Sequence, residues 1–387
     1  MHIRAHSPRH HASRRDFFQI LAGSTLSGAS ILELAFHRAA WSRALGPGSD
    51  SQLFDIEKVA EGVYLAKARP QALINSNAAI FVNSADVLVV DSHSKPSAAA
   101  SLIAQIKREI TPKPVRYLVN SHFHWDHTQG NRAYRTAENK IDFIASKPTK
   151  QLMAELARKR LDESLAGVPQ QIDALRTRAE KASSEAEKTF CQDQIRQLRA
   201  YQAELRNYTL ELPTITFDTS YLIRDKAHDL HVEFHGRAHT AGDVVVFCPQ
   251  KRAVATGDMI LGFLPYIGDG FPRTWPKTID SVAKLSIDHV LPGHGPVQSG
   301  RQTMTNERNY IEELTSKVAA GKDAGKSVAD LQKTITMASL KSLQSNGYAN
   351  YVTANYSSLL PEFEPAAGLE NSVKTNIAEI YKNLDRT

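Results

Sequence analysis

Short apolar runs and longer amphipathic stretches divide the chain into distinct zones. Apolar runs at residues 63–66, 78–82, 87–90 and 117–120 read as strands, with an amphipathic helix at 97–109. A second set follows at 214–217, 230–235, 244–248, 253–256 and 289–291. Strands alternating with helices predict a layered α/β sheet fold, and the two sets predict two halves of one fold. Between them, residues 148–207 are polar and helix-forming. Leu161, Leu165, Val168, Ile172, Leu175, Ala179, Ala182 and Ala186 recur there at spacings of four and three, a heptad seam. Gly167 and Pro169 interrupt the seam, and an interior proline removes a helical hydrogen bond, so the reading is a hairpin of helices rather than one rod. The seam suits an arm that packs on its own core, and a dimerisation or substrate-covering role is left open. From residue 303 onward the chain is again helical and amphipathic, with Gly321 and Gly325 as expected breaks, and reads as a packing layer rather than a chemical site.

A chain of 387 residues exceeds the usual single domain. Its 42% hydrophobic and 23% charged residues are ordinary globular values. The net charge of +6 is uneven: residues 1–45 hold six Arg and no Lys against Asp16 and Glu33, which leaves 41 basic and 39 acidic residues elsewhere. A nearly neutral remainder gives no reason to expect a nucleic-acid partner. Two cysteines, Cys191 and Cys248, exclude a disulfide framework and a cysteine metal cluster. Buried inert thiols are the expectation, with a single bridge between them left open.

The chemistry concentrates in Ser121-His122-Phe123-His124-Trp125-Asp126-His127, which follows an apolar strand. Imidazole and carboxylate are the donors that a borderline cation such as zinc prefers. In an extended loop His122 and His124 point the same way, while Asp126 and His127 turn toward a position a few ångströms off, so one motif can serve two adjacent metals. Three further donors sit beside glycine at strand ends: His239 in Gly236-Arg237-Ala238-His239-Thr240-Ala241-Gly242-Asp243, Asp258 in Thr256-Gly257-Asp258, and His294 in Leu291-Pro292-Gly293-His294-Gly295-Pro296.

The His-x-His-x-Asp-His motif, followed by His, Asp and His in these contexts, resembles the metallo-β-lactamase superfamily over roughly residues 53–300. The resemblance implies a four-layer αββα fold, with 148–207 as a helical insertion and 301–387 as a helical C-terminal extension. It implies that His122, His124 and His239 hold one metal, that Asp126, His127 and His294 hold a second, and that Asp258 bridges them. Asp91 matches the family's carboxylate that hydrogen-bonds a ligand histidine. The best-known β-lactamase branch carries cysteine where Asp258 stands, whereas a bridging aspartate is typical of the glyoxalase, lactonase and phosphodiesterase branches. The implied chemistry is hydrolysis of a small-molecule ester, lactone, thioester, amide or β-lactam by a hydroxide shared between two Zn²⁺ ions, with Asp126 orienting the nucleophile. Iron or manganese in the same site, iron-dependent redox chemistry, and a non-catalytic metal- or partner-binding protein are the alternatives.

The other histidines receive plainer readings. His93, close to Asp91, is a candidate for support of a ligand, while His228, His231, His235 and His289 read as strand or surface residues. The apolar loop at residues 261–267, with Trp125 and Trp275, reads either as a substrate wall or as packing. Finally, Ser13-Arg14-Arg15-Asp16-Phe17-Phe18-Gln19 resembles a twin-arginine export signal. A Gly/Ser/Ala-rich run at 20–35 and a small-x-small site, Ser42-Arg43-Ala44, follow it. The run is too short and too polar to span a membrane. Export in the folded state suits an enzyme that loads metal before crossing, so the expected location is the periplasm, and a retained amphipathic helix is the alternative. Gly46-Pro47-Gly48-Ser49-Asp50 reads as a linker.

Overall fold

The computed structural model describes residues 53–69, 76–138, 140–359 and 365–386. The export-like leader at 1–45 and the linker at 46–50 lie outside the described residues. The first sheet has seven strands in sequence order: β1 (Phe54–Ala60), β2 (Val63–Ala68), β3 (Ala78–Val82), β4 (Val87–Val90), β5 (Val115–Val119), β6 (Asp142–Ser146) and β7 (Ile215–Phe217). Neighbours are antiparallel from β1 to β4 and parallel from β4 to β7. The second sheet runs β8 (Ser220–Ile223), β9 (Leu230–Glu233), β10 (Val245–Cys248), β11 (Ala253–Gly257), β12 (His289–Pro292) and β13 (Gln298–Ser299), again with neighbours in sequence order. Only the β11–β12 pair in it is parallel.

The helices are α1 (Pro96–Glu109), α2 (Trp125–Thr128), α3 (Asn131–Ala137), α4 (Lys147–Glu180), α5 (Glu185–Leu205), α6 (Trp275–Val282), α7 (Gln302–Asp323), α8 (Val328–Thr334), α9 (Lys341–Gln344), α10 (Tyr348–Leu359) and α11 (Pro365–Asn383). Alternation along the strands fixes the layers. Phe81, Leu88 and Val90 face inward and pack with Val232, Val246, Cys248 and Ala255 of the second sheet. Ile80, Val87 and Val89 face outward against Leu102 and Ile106 of α1 and Tyr134 of α3. On the far side, Val245, Phe247 and Val254 meet Ile279 of α6, Tyr310 and Leu314 of α7, and Val373 and Ile377 of α11. The order is therefore α, β, β, α. Because both faces of each sheet are covered, the central strands are apolar throughout rather than alternating. The weakly apolar β1, at the sheet edge with a mixed burial pattern, and the two-residue β13 give no comparable signal. β6 and β8 are likewise unmarked by a run of apolar residues in the sequence expectations above.

Several local expectations are corrected. Helix α4 runs unbroken for 34 residues through Gly167 and Pro169, and the hairpin turns instead after Glu180. The missing proline amide orphans the carbonyl of Leu165, and Gln202 Nε2 on α5 donates to it at 3.4 Å. The seam is closed within the hairpin, where Leu161, Val168 and Ile172 are buried against Ile195, Leu198, Tyr201 and Leu205. Gly321 does not break α7 but lies under Leu331, where a Cβ would collide; the turn comes at Gly325, with φ +73°. His228 is buried in the turn before β9, neither strand nor surface. Cys191 on α5 and Cys248 on β10 are separate buried thiols, not bridged to one another. No helix among the described residues is long and apolar enough to cross a membrane.

Candidate metal centre

At the end of β5 the chain leaves the sheet and passes through residues 120–124 into the one-turn helix α2. Polar side chains fix this path. Asn120 Nδ2 donates to the His127 carbonyl at 3.2 Å and to Asn131 Oδ1 at 3.0 Å, and Asn131 Nδ2 donates back to Asn120 Oδ1 at 2.9 Å. Ser92 N and Oγ also donate to the His127 carbonyl. His239 arrives on the loop between β9 and β10, Asp258 just after β11, and His294 just after β12. Glycine permits the close approach: a Cβ on Gly257, at φ +51°, would overlap Ser121 Oγ, and one on Gly293 would overlap Asp258 Oδ1.

All seven donor side chains are buried and converge in three overlapping groups: His122, His124 and His239; His122, His127 and Asp258; and Asp126, His127 and His294. His239 Nε2 lies 2.9 Å from His124 Nδ1. Asp126 Oδ2 lies 3.4 Å from His127 Nε2 and 3.3 Å from His294 Nε2. Asp258 stands between the groups, with Oδ1 3.3 Å from His127 Nε2 and Oδ2 3.6 Å from His239 Nε2 and 3.3 Å from His294 Nε2. A divalent cation fits this set. His122 Nε2, His127 Nε2 and Asp258 Oδ1 are buried without a hydrogen-bond partner, which is costly unless something else satisfies them.

On His122, His124, His127 and His239 the inward nitrogen is presented by a bond to the ring's other nitrogen. His127 Nδ1 donates to Asp91 Oδ2 at 2.8 Å, and Asp91 also accepts from Ser121 N and Oγ, each at 2.8 Å. Asp91 holds this angle at φ 69°, a left-handed conformation uncommon outside glycine. His122 Nδ1 lies 3.0 Å from Ser121 Oγ. His239 Nδ1 donates to the Tyr266 carbonyl at 3.1 Å. His124 is turned the other way round, with Nε2 2.8 Å from Asp269 Oδ2 and Nδ1 facing the centre.

Burial, with repulsion from His127, His124 and His239, holds His122 well below the usual imidazole range. Burial and His124 push His239 down to about 3. Burial alone would raise Asp126 and Asp258, but the positive His127 and His294 beside them hold both carboxyls well below their usual range. Neutral His122 and His239 beside ionised Asp126 and Asp258 are protonation states that metal binding requires, whereas against its burial the carboxylates of Asp258, Asp126 and Asp91 hold His127 well above the usual imidazole range.

His93 does not touch Asp91; its Nδ1 meets the Ser76 carbonyl at 3.1 Å, and Ser76 Oγ donates to the Asp126 carbonyl at 2.6 Å. Burial pushes His93 down to about 3. Phe263, Leu264 and Ile267 are core residues packed with fully buried Trp275, and Leu261 is buried as well. Trp125 packs on Leu161 and Tyr201 of the hairpin. Asp269 and its partner Arg160 escaped sequence reading. The available signal was a lone carboxylate between Gly268 and Gly270 inside an apolar loop, and Arg160 looked like one more solvated charge of α4.

The model of the "Metallo-beta-lactamase superfamily" matches residues 73–294. Among solved structures, a metallo-β-lactamase from Pontibacter korlensis is similar at 18% identity and TM-score 0.48, over 67% of this chain and 99% of that one. One from Hirschia baltica is similar at 19% identity and TM-score 0.47, over 67% and 98%. One from Erythrobacter litoralis is similar at 18% identity and TM-score 0.48, over 67% and 97%. The family match spans more than half of the chain and contains the complete donor set, which supports a metal-dependent hydrolase: the chain belongs to the metallo-β-lactamase superfamily.

Proposed function

We propose that this protein is an exported dinuclear zinc hydrolase acting on a small-molecule ester, lactone, thioester or amide, β-lactams included. The observation that carries the reading is the position of Asp258, whose single carboxylate reaches His239 of one donor group and His127 and His294 of the other. A carboxylate shared between two donor groups is the arrangement that two adjacent cations require. His122, His124 and His239 would hold one ion, Asp126, His127 and His294 the other, and Asp258 both. Such a pair supplies Lewis acidity and a water of lowered pKa. Asp126 would orient the attacking water, accept its proton at a carboxylate oxygen and return it to the leaving group. Ser121 and Asp91 keep His122 and His127 in one tautomer, and burial of the whole set excludes bulk water. The twin-arginine-like leader supports a periplasmic location.

Elemental analysis of purified mature protein, paired with a hydrolysis screen over lactones, thioesters, β-lactams and phosphodiesters, tests this reading. About two zinc ions per chain and turnover of one substrate class are expected. One equivalent of iron and no zinc would replace hydrolysis with oxidative chemistry. For the location, Arg14→Lys with Arg15→Lys should trap the precursor in the cytoplasm, and continued export by the same route would refute it.

A further inference from the structure

The helical insertion and the C-terminal helices close on one loop. Residues 266–269 present the Tyr266 carbonyl to His239 and the Asp269 carboxylate to His124. From the insertion, Arg160 on α4 grips Asp269 with both arms of its guanidinium, Nη1 to Oδ2 at 2.7 Å and Nη2 to Oδ1 at 2.8 Å. The same guanidinium lies 4.9 Å over the ring of Phe123, the residue between His122 and His124. From the other side, Asn383 Nδ2 on α11 donates to the carbonyls of Ile267 and Gly268, each at 3.0 Å.

We propose that Arg160 is a positioning residue for the first donor group: through Asp269, the insertion sets the ring of His124 so that its Nδ1 meets the cation. The proposal rests on the reading that His122, His124 and His239 hold a metal. Asp269 is a largely buried carboxylate, and a buried charge needs a paired counter-charge to keep one geometry. A guanidinium offers two parallel bonds that fix both oxygens, which a lysine cannot do. With the fork gone, Asp269 is free to turn, and His124 loses the bond that selects its tautomer. Docking of the hairpin does not depend on this pair. Tyr201 packs on Trp125 and donates to Gln129 Oε1 at 3.1 Å, and Glu204 accepts from Ser97 N at 2.6 Å. Replacing Arg160 therefore tests positioning and leaves the insertion in place.

The test uses the full mature chain stripped of metal and titrated with Co²⁺, read by visible absorption, and with Zn²⁺ against a chromophoric chelator. Wild type should take up two equivalents. Asp269→Asn and Arg160→Ala should each weaken one of the two by roughly 10–100-fold, leave the other unchanged, and alter the cobalt spectrum of the weakened site. Arg160→Lys should recover part of the loss. The double variant should be no weaker than Asp269→Asn alone, because the two residues act in one chain. Arg178→Ala, whose ion pair with Glu187 lies at the hairpin tip, should bind metal as wild type does. Two equivalents bound by Arg160→Ala with unchanged affinity and spectrum would overturn the proposal, as would losses that multiply in the double variant. Failure of wild type itself to take up either metal would instead remove the metal-centre reading, and this proposal with it.

Discussion

The two outer donor groups lie within a few ångströms of each other, yet different parts of the chain hold them. Asp126, His127 and His294 are fixed from the strand ends. Asp91 at the end of β4 takes His127, and Asn77, just before β3, binds the His294 loop through Nδ2 to the carbonyls of Pro292 and Gly295, each at 2.9 Å. His124 and His239 are fixed instead by residues 266–269, a loop gripped by Arg160 of α4 and Asn383 of α11. The second group is thus built by the layered core itself, and the first is completed by helices added to it. Such a centre can keep its chemistry while the first group's geometry is adjusted from outside, through the side chains of the additions that grip residues 266–269.

The sharpest way to break the comparison is to remove what the groups share. Asp258→Ala should release about one metal equivalent and cut turnover by at least as much as loss of a positioned acid–base group, followed by metal analysis and kcat together. Next in size, Asp126→Asn should lower kcat by about 10²–10⁴-fold while part of its metal stays bound. Full activity in this variant at saturating zinc would leave Asp126 a plain ligand. Asp91→Ala should weaken the second group roughly 10–100-fold without abolishing it, the counterpart of Asp269→Asn on the first. Zinc titrations in which both variants lowered the same equivalent would erase the distinction between the groups. Smallest of all, Gln202→Ala should cost about 1 kcal/mol through the orphaned Leu165 carbonyl, read as a lower midpoint in urea with unchanged metal content.

The donors were legible because they cluster. Three histidines and an aspartate within six positions, then His239, Asp258 and His294 beside glycine at strand ends, leave a signal in one dimension. The layers were legible for the same reason: strands covered on both faces read as continuous apolar runs, as Val87 to Val90 do. What escaped acts at long range. Asp269 is 145 positions from His124 and 109 from Arg160, and Tyr266 contributes only a backbone carbonyl, which any residue would supply. Pro169 misled for a complementary reason, since the side chain that compensates for it, Gln202, belongs to another helix. Trp275 and its apolar neighbours left two readings open, because an aromatic loop beside a metal site and an aromatic core under it have the same composition.

The Leu165 carbonyl left open by Pro169 also works as an index mark for the hairpin. Two antiparallel helices joined by a repeating apolar seam lose little contact by sliding one turn, about 5.4 Å, past one another. Sliding would take Gln202 away from the one carbonyl that the proline exposes, much as a single polar residue fixes alignment in a coiled coil. Arg160 lies nine residues ahead of Pro169 on the same helix, about 13.5 Å along its axis. A slip of one turn would carry its guanidinium out of reach of Asp269. The proline that seemed to break the helix thus helps to measure out where its arginine lands.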